Sequence, residues 1–285
     1  MSGLLLDSIV KDIPKIRQEL YRGSSFFSTI EKVLKDEVNY TFGKGGRNQV
    51  NFDAIGDVRL PFFSMGQINT THLFGIDELI IFAFYLVNKR NYKKVADIGA
   101  NIGLHTIILL KLGYEVSSFV PDPRHCAQFE VNMVANSIDS AFKLHRVAVS
   151  DIEGSIGFTR VNDNSTGSHI TGSKSAYGDL EQFNVDCVQF GKVLRQNDLI
   201  KADVEGHEAI LLTSTVAADW VSSDALFEIG SYENAKQIYD HMNIIGVSIF
   251  SQKIGWRKAL SVNDLPTNHT EGSVFISTRS EMNWS

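Results

Sequence analysis

The chain has 285 residues, with 27 Lys and Arg against 33 Asp and Glu, which gives a formal net charge of −6. Hydrophobic residues make up 43% and charged residues 21%, a balance that excludes a disordered chain, a collagen-like chain and a coiled coil. The acidic balance disfavours binding to a nucleic-acid backbone by bulk charge, although one or two local cations can still hold a small anion. Because only Cys126 and Cys187 occur, neither a disulfide framework nor a zinc site is expected.

The N-terminal residues do not resemble a secretory signal, because the apolar run at residues 4–6 ends at Asp7. The longest apolar stretch, residues 79–87, is shorter than the roughly 20 residues that span a bilayer. We therefore expect a cytoplasmic protein without a membrane span.

The first part of the chain is mainly helical in pattern. Apolar residues at spacings of three and four over residues 4–38 predict two helices, with a break at residues 23–25. Residues 38–63 alternate in polarity and contain a glycine-rich run at 43–47, which predicts a hairpin with a flexible tip there. A strongly apolar helical pattern over residues 76–89 predicts a buried helix.

From residue 92 onward, short β-branched runs alternate with helical patterns. The predicted strands are residues 94–98, 116–120, 144–149, 199–204, 225–229, 247–250 and 273–277. The predicted helices are residues 102–111, 124–135, 208–214 and 233–242. This alternation predicts an α/β fold with a mostly parallel sheet that is covered by helices on both faces. No helix pattern separates the last two strands, which allows an antiparallel pair on one edge.

The first strand of this part ends in an acid and a glycine turn, formed by Asp97, Gly99, Ala100, Asn101 and Gly103. Glycines let backbone amides approach a ligand, and the free amides at a helix start can hold a carboxylate or phosphate. A dinucleotide fingerprint would need glycine at positions 101 and 104, and no P-loop motif occurs. The D-x-G-x-x-x-G spacing instead suits S-adenosylmethionine (SAM), whose amine needs an acceptor and whose carboxylate needs backbone donors. The alternative is a tight turn that binds no ligand.

The ends of the second and third strands carry two weaker signals. Asp122 follows the glycine turn at close to the ~20-residue spacing expected of an acid that binds ribose hydroxyls. The alternative is that Asp122 caps the next helix, since Pro123 stands at its first position. At the end of the third strand, Ser150 could border an adenine, although an ordinary turn explains this segment equally well.

The end of the fourth strand carries Lys201, Asp203, Glu205, His207 and Glu208 within eight residues. Such crowding can shift pKa values and suggests chemistry. Capping of the next helix would explain the acids, but it would not explain Lys201 or His207.

The stretches VADIGANIGLHT (95–106), SFVPDP (118–123), HRVAVSDIEGSIGF (145–158), IKADVEGHEAILL (200–212) and LFEIG (226–230) together resemble the FkbM family of SAM-dependent methyltransferases. The resemblance implies a class I methyltransferase domain over residues 76–285 with a Rossmann-like, seven-stranded sheet that is mostly parallel with an antiparallel edge strand. Residues 1–75 would form an N-terminal helical and hairpin extension. The implied reaction is O-methylation of a hydroxyl, often on a sugar or a polyketide-type product. The family usually has Glu at the position of Val120 as the ribose ligand, so either Asp122 replaces it or ribose binding is weakened.

These observations lead to a hypothesis for the site. We expect His207 to act as the general base, with Asp203 and Glu205 orienting the reactants, because imidazole titrates near neutral pH. A Mg²⁺ ion on Asp203, Glu205 and Glu228 is a less favoured variant. The predicted cofactor contacts are Glu78, Asp97, Gly99, Ala100, Asn101, Gly103, Asp122, Ser150 and Asp203. The predicted substrate contacts are Asn164, His169, Lys201 and Glu228.

Two alternatives stay open at this point. The acceptor could be a small molecule other than a sugar, methylated on oxygen or nitrogen. The protein could also be a degenerate family member that binds SAM without turnover. The expected partner is in each case a small molecule or a glycan rather than a nucleic acid.

Overall fold

Residues 4–138, 142–175 and 177–284 are described by the computed structural model of the chain. Residues 1–3 lie outside this part. They belong to the predicted N-terminal extension and precede the apolar run at residues 4–6. The helices are α1 (Leu4–Ile16), α2 (Ser25–Phe42), α3 (Ile76–Asn88), α4 (Leu104–Leu112), α5 (Pro123–Ala135), α6 (Phe190–Gln196), α7 (Glu208–Thr213) and α8 (Tyr232–Ile244). The strands are β1 (Gln49–Phe52), β2 (Gly56–Arg59), β3 (Ser64–Met65), β4 (Ile68–Asn69), β5 (Lys94–Ile98), β6 (Glu115–Phe119), β7 (Phe142–His145), β8 (Ala148–Ser150), β9 (Gly154–Val161), β10 (His169–Ile170), β11 (Leu180–Gln189), β12 (Leu199–Ala202), β13 (Asp224–Glu228), β14 (Ser248–Ser251), β15 (Arg257–Lys258) and β16 (Ser273–Ser277).

The largest sheet has eight strands in the order β15, β14, β16, β13, β12, β5, β6 and β7. The strands from β13 to β7 are parallel, whereas β16 runs antiparallel between β13 and β14. The predicted α/β fold and the antiparallel pairing of the last two predicted strands are confirmed. The sheet has one strand more than the expected seven, because the short β15 pairs with β14 at the edge.

Alternate side chains of each central strand enter different cores, as the pleat requires. Val95 packs in a cluster with α1, α2, α3 and α4, whereas Ala96 packs in a second cluster with α6, α7 and α8. Because the N-terminal helices share a core with one face of the large sheet, they are part of what holds that sheet in shape. The proposed division at residue 75 stays a prediction.

Two segments differ from the sequence prediction. The single strand expected over residues 144–149 is wrong, because β7 ends at His145 and β8 belongs to a second sheet with the order β10, β9, β11 and β8. The hairpin expected over residues 38–63 starts later, at β1, because the buried stripe of α2 continues through Phe42. The glycine-rich run at 43–47 is thus the connection after a helix and not a hairpin tip.

The carboxyl ends of β5, β6, β12 and β13 lie at one edge of the large sheet, which is where ligands bind in open α/β folds. The second sheet stands beside this edge, because Val149 of β8 packs in one cluster with Ile98 and Phe119 at the ends of β5 and β6. No helix in the described part of the chain is long and apolar enough to cross a membrane.

Candidate active site

The glycine turn after β5 is packed tightly against the end of β12. Gly99 has φ +73°, and a Cβ placed on it would lie 1.9 Å from the carbonyl oxygen of Asp203. Only glycine therefore fits between these two strand ends. Gly103, with φ +90°, is the N-cap residue of α4 and leaves no room for a Cβ beside Phe129 and Met133. The predicted sequence of strand, turn and helix is confirmed.

Polar atoms without a protein partner surround this turn. Oδ1 of Asp97 is buried and makes no hydrogen bond to any described residue, although Oδ2 accepts one from the Thr106 hydroxyl at 2.7 Å. Oδ1 of Asn101 is likewise buried without a described partner, and the Asn101 backbone is left-handed, with φ +51°. The Ala100 amide, by contrast, donates to the carbonyl of Phe119. Unpaired buried acceptors are costly, so the turn has a place for a ligand that donates hydrogen bonds.

A large cavity of about 690 Å³ extends from this turn across the ends of β5 and β6. Its walls include the apolar side chains of Phe119, Val149, Phe158 and Ile170, and residues 165–170 cover it. Apolar walls with a few polar groups are typical of ligand sites.

Two smaller cavities continue along the same edge of the sheet. The middle cavity, about 350 Å³, shares Gly99, Asn101 and Asp203 with the large cavity. The outer cavity, about 420 Å³, shares Glu78 and Lys201 with the middle one. Other residues that line the outer cavity include Asp77, Glu228, His269 and Ser273. The three cavities together form a path across the carboxyl ends of four parallel strands.

Glu78 projects from α3 to this path, and its predicted contact with the cofactor stays a prediction. Its Oε2 pairs with Nε2 of His105 at 2.7 Å, and the other ring nitrogen of His105 pairs with the Tyr85 hydroxyl at 3.0 Å. Burial raises the pKa of Glu78, but the adjacent imidazole more than offsets this and leaves the pKa below its ordinary value. Glu78 is therefore a carboxylate at the junction of the middle and outer cavities.

Asp122 lines the large cavity, but its carboxylate already has partners. It accepts hydrogen bonds from the Arg124 amide at 2.8 Å and from Nε and Nη2 of Arg160, both at 2.7 Å. The capping role that the sequence left open is confirmed. The ribose contact stays a prediction that the geometry does not favour, because the side chain is only 2% exposed. Val120, at the position of the family's usual acid, is itself buried.

A general base must reach the acceptor, but His207 lies outside the cavities and both its ring nitrogens are paired. Its Nε2 pairs with the Ser150 hydroxyl at 2.9 Å and its Nδ1 with the Ser173 hydroxyl at 2.8 Å. The ring is 3% exposed and lines none of the three cavities, and burial lowers its pKa. The geometry therefore does not support His207 as the general base. Ser150 points to His207 and not into the large cavity, so its predicted contact with adenine lacks support too.

The other acidic residues after β12 do line the cavities. Glu205 faces the large cavity, pairs with Lys174, and has a left-handed backbone with φ +51°. Burial and the nearby Asp203 raise the pKa of Glu205 to about 7, against the effect of Lys174. Asp203 lies at the junction of the large and middle cavities, and its carboxylate forms no hydrogen bond or ion pair with a described residue. Both carboxylates line the large cavity, and their predicted role in orienting the reactants stays a prediction.

The segment of residues 164–175 covers the large cavity with its residues 165–170, and the two predicted substrate contacts in this segment differ. Asn164 donates to the Tyr177 hydroxyl at 2.8 Å and does not line the cavity. His169 is buried and does line it. Ser173 and Lys174 fasten the far end of the segment to the loop after β12 through His207 and Glu205.

Sequence reasoning missed three contributors to the site. Arg160 and Lys174 lie in segments without a helix or strand signal strong enough to locate them. His105 follows the glycine turn in the recognised motif, and its proximity in the chain to that turn was the available signal. Within the described ranges, no group of three or more His, Cys, Asp or Glu side chains could hold a metal ion, so the Mg²⁺ variant lacks support.

Sequence comparison identifies the family. The profile of the family described as "Methyltransferase FkbM domain" matches residues 97–244, just over half of the chain. The chain belongs to this FkbM family. The matched region contains the glycine turn, both acidic residues after β12 and the segment over the large cavity. No curated protein matches the chain significantly by sequence.

Several solved methyltransferase structures are similar to the FkbM chain at low sequence identity. A ribosomal protein L11 methylase from Lactobacillus delbrueckii subsp. bulgaricus is 15% identical over 68% of this chain and 75% of its own, with a TM-score of 0.36. A SAM-dependent methyltransferase from Agrobacterium tumefaciens is 9% identical over 81% and 70%, with a TM-score of 0.41. A Podospora anserina methyltransferase bound to SAH, S-adenosylhomocysteine, is 9% identical over 70% and 79%, with a TM-score of 0.36.

The family and the order of strands in the large sheet confirm the class I methyltransferase fold, and the chain is a SAM-dependent methyltransferase. The residues present fit the cofactor. The buried side-chain oxygens of Asp97 and Asn101 provide acceptors that its ammonium group can satisfy, and Asp203, which lines the middle cavity with Asn101, adds a second carboxylate. The apolar walls of the large cavity suit an adenine ring.

Proposed function

We propose that this enzyme transfers the methyl group of SAM to a hydroxyl of a polyhydroxylated acceptor, such as a sugar, a glycan or a related natural product. The observation that carries the proposal is the outer cavity, where the side chains of Lys201 and Glu228 form no hydrogen bond or ion pair with a described residue. The outer cavity adjoins the middle cavity at Glu78 and Lys201, and Asp203 lies across the middle cavity, beside the glycine turn.

The charges around the outer cavity suit hydroxyl groups. Burial lowers the pKa of Lys201, but Asp203, Asp97 and other carboxylates more than offset this, so the ammonium stays protonated. Burial and neighbouring carboxylates raise the pKa of Glu228 well above its ordinary value, and a protonated carboxyl can both donate and accept. An apolar acceptor would leave these groups unpaired at a cost of about 1–3 kcal/mol each.

SAM supplies an activated methyl group. The protein's contribution is to hold the acceptor oxygen at near-attack distance, which can supply much of the rate enhancement. Asp203 lies where the cofactor-binding turn meets the acceptor side of the path, so it is placed to orient both reactants. The acceptor hydroxyl must also lose a proton, for which a base contributes roughly 10²–10⁴-fold.

One specific observation favours the alternative of a degenerate, SAM-binding protein without turnover. Val120 stands at the position of the family's usual ribose acid, and Asp122 is held by Arg160. This arrangement leaves the adenosine with fewer polar contacts and predicts weak cofactor binding. A small-molecule acceptor that is not a sugar, methylated on oxygen or nitrogen, is the other alternative.

The test starts with calorimetry of SAM and SAH, followed by transfer of a radiolabelled methyl group to a panel of nucleotide sugars, methyl glycosides and glycans. We expect Lys201→Met and Glu228→Gln to lower kcat/KM for the acceptor by at least tenfold and to leave the Kd of SAH within twofold. Lys236→Met, on the exposed face of α8, is the control for loss of a lysine. Binding of SAM without product on any hydroxyl acceptor would refute the proposal.

A small molecule or glycan as partner, rather than a nucleic acid, also agrees with the net charge of −6. A cytoplasmic location stays a prediction from the sequence.

A further inference from the structure

Two residues, Glu78 and Lys201, lie where the cofactor and the acceptor would meet. Among the described residues that line the middle and outer cavities, these two alone line both. The middle cavity contains Asn101 and Asp203, which fit the ammonium group of the cofactor, and the outer cavity is the place proposed for the acceptor. The reacting oxygen then lies at the boundary between these cavities, so a group that takes its proton must lie there as well.

Only one of these two side chains can accept a proton. Burial lowers the pKa of Lys201, but Asp203 and other carboxylates more than offset this, so its ammonium has no lone pair to offer. Glu78 is a carboxylate, because the His105 imidazole more than offsets the effect of burial and lowers its pKa. Its Oε2 pairs with His105, whereas its Oε1 forms no hydrogen bond with a described residue. The side chain is 31% exposed, so Oε1 is accessible from the cavities.

A chain of hydrogen bonds behind Glu78 holds its carboxylate. Nε2 of His105 lies 2.7 Å from Oε2, and an ionised carboxylate can only accept, so Nε2 carries a proton. Nδ1 of His105 lies 3.0 Å from the hydroxyl of Tyr85. Tyr85 is fully buried, and burial raises its pKa well above the ordinary value, so the hydroxyl keeps its proton. The carboxylate is thus fixed from the protein side, which leaves Oε1 for a ligand.

The other charged or titratable groups that line the two cavities are Asp77, His105, Lys201, Asp203, Glu228 and His269. Asp77 accepts from Gln252 at 2.5 Å, and burial raises its pKa to about 6. Burial and nearby carboxylates raise the pKa of Glu228 well above its ordinary value, so it holds a proton at neutral pH. Asp203 lines the middle cavity but not the outer one, and His269 lines the outer cavity but not the middle one. Glu78 is therefore the carboxylate that borders both places.

We propose that Glu78 is the general base of the methyl transfer, with Oε1 accepting the proton that the acceptor hydroxyl loses, and that His105 is a positioning residue that holds the carboxylate. The role rests on the proposed function. In the step, the acceptor oxygen forms a bond to the methyl carbon, the carbon–sulfur bond breaks with its electron pair on sulfur, and the hydroxyl proton moves to Oε1. This proton becomes strongly acidic as its oxygen gains a third bond, so a carboxylate of low pKa is basic enough to take it. The carboxyl group then gives the proton to water.

The first measurement needs neither cofactor nor acceptor. Ring ¹⁵N chemical shifts of the histidine-labelled protein at pH 7.5, assigned to His105 by comparison with His105→Gln, report which ring nitrogens carry protons. We expect a proton on Nε2, as donation to an ionised Glu78 requires. A proton on Nδ1 alone would mean that the carboxyl group itself holds the shared proton, and it would overturn the proposal.

The second measurement uses Glu78→Gln, whose amide oxygen can still accept from His105 but is not basic. At saturating SAM, we expect kcat with the fastest methyl glycoside of the panel to fall about 10²–10⁴-fold and the Kd of SAH to stay within twofold. Glu130→Gln is the matched control. Glu130 is also a helical glutamate with a basic partner, Arg146, but it lies outside the cavities.

The positioning role of His105 has a readout of its own. Because the imidazole lowers the pKa of Glu78, we expect His105→Leu to move the acidic limb of the kcat–pH profile to higher pH. His105→Gln, whose amide can still donate to Glu78, should be at least threefold faster than His105→Leu at pH 7.5. His241→Leu is the control, since Nε2 of His241 pairs with the Thr215 carbonyl, away from the cavities. An acidic limb that stays at the wild-type pH in His105→Leu would overturn the positioning role.

Retention of wild-type kcat by Glu78→Gln would overturn the role of Glu78 and leave the proposed function standing. A rise of tenfold or more in the Kd of SAH would make Glu78 a cofactor contact and would overturn the role too. Absence of turnover by the wild-type enzyme on every hydroxyl acceptor would overturn the proposed function and this role together. If Glu78→Gln does not fold, Glu78→Ala is assayed with added formate, and failure of formate to restore turnover would count against the base.

Discussion

The guanidinium of Arg160 binds both carboxylate oxygens of Asp122, with Nε to Oδ2 and Nη2 to Oδ1 at 2.7 Å each. Both side chains are almost fully buried, and the pair joins β9 of the second sheet to the start of α5. Removing one partner of a buried ion pair leaves an uncompensated charge. We therefore expect Arg160→Ala to lower the free energy of unfolding by about 3–5 kcal/mol, as measured by urea denaturation.

Arg124→Ala is the control, because Arg124 is 60% exposed and its pair with Glu181 is worth at most about 1 kcal/mol. Burial raises the pKa of Asp122, but Arg160 and other donors more than offset this and lower it. The stabilisation is therefore present above the ordinary pKa of Asp and is lost as the pH falls through the lower folded value. Equal destabilisation by the two variants would contradict this account.

A comparison of Gly99→Ala with Gly113→Ala should distinguish the effect of a steric clash at the glycine turn from the effect of backbone strain alone. A Cβ there meets the Asp203 carbonyl at 1.9 Å, so the two strand ends must move apart. We expect the Kd of SAH to rise at least tenfold, as measured by calorimetry. Gly113→Ala, also at positive φ but with nothing within 4 Å of its Cβ, should cost about 1–2 kcal/mol of stability and leave SAH binding unchanged.

His207→Ala should loosen the segment that covers the large cavity, because His207 joins Ser150 to Ser173. Loss of two hydrogen bonds, each worth about 1 kcal/mol, should raise the rate of tryptic cleavage after Lys174 by about fivefold to thirtyfold. His241→Ala serves as the control. An unchanged cleavage rate would show that other contacts fasten the segment.

Stability should fall as the pH rises from 5 to 8, in part because of Glu208. Its carboxylate accepts from the Gly206 amide at 2.8 Å and from Asn234 at 2.6 Å, but burial raises its pKa to about 7. The folded state thus binds a proton that the unfolded state has already lost above pH 4.5, so this contribution disappears as the pH passes through 7. We expect Glu208→Gln to reduce the loss of unfolding free energy between pH 5 and pH 8 by about 2–3 kcal/mol.

Urea denaturation at both pH values measures this effect, and Glu233→Gln, at an exposed position of α8, is the control. A parallel pH dependence in Glu208→Gln and the wild-type enzyme would exclude Glu208 as its source.

Much of the large sheet follows from local pattern. Residues 94–98 and 273–277 form strands with the bounds that the sequence predicts, because apolar, β-branched runs are bounded by turn residues. The second sheet was missed although Phe183, Val185 and Cys187 alternate in β11, because half of the residues of this strand are exposed. Here tertiary pairing with β9, not the local sequence, determines the strand.

In the candidate site, too, local sequence predicts some features, and tertiary contacts determine the others. The glycine turn is one continuous segment and the acids after β12 are another, and they meet because β5 and β12 are parallel neighbours. The partners of Asp122 and His207 come instead from β8, β9 and the segment over the cavity. A residue's chemistry depends on these distant partners, which explains why the two predicted roles lack geometric support.

The position of β16 has a consequence for biosynthesis. This strand is the last in the described sequence, yet it fills the slot between β13 and β14. While the polypeptide is still emerging from the ribosome, β13 has an open edge and β14 has no central neighbour. The catalytic face of the nascent enzyme therefore cannot be completed in the order of synthesis, and its closure waits for β16, which also carries Ser273 of the outer cavity.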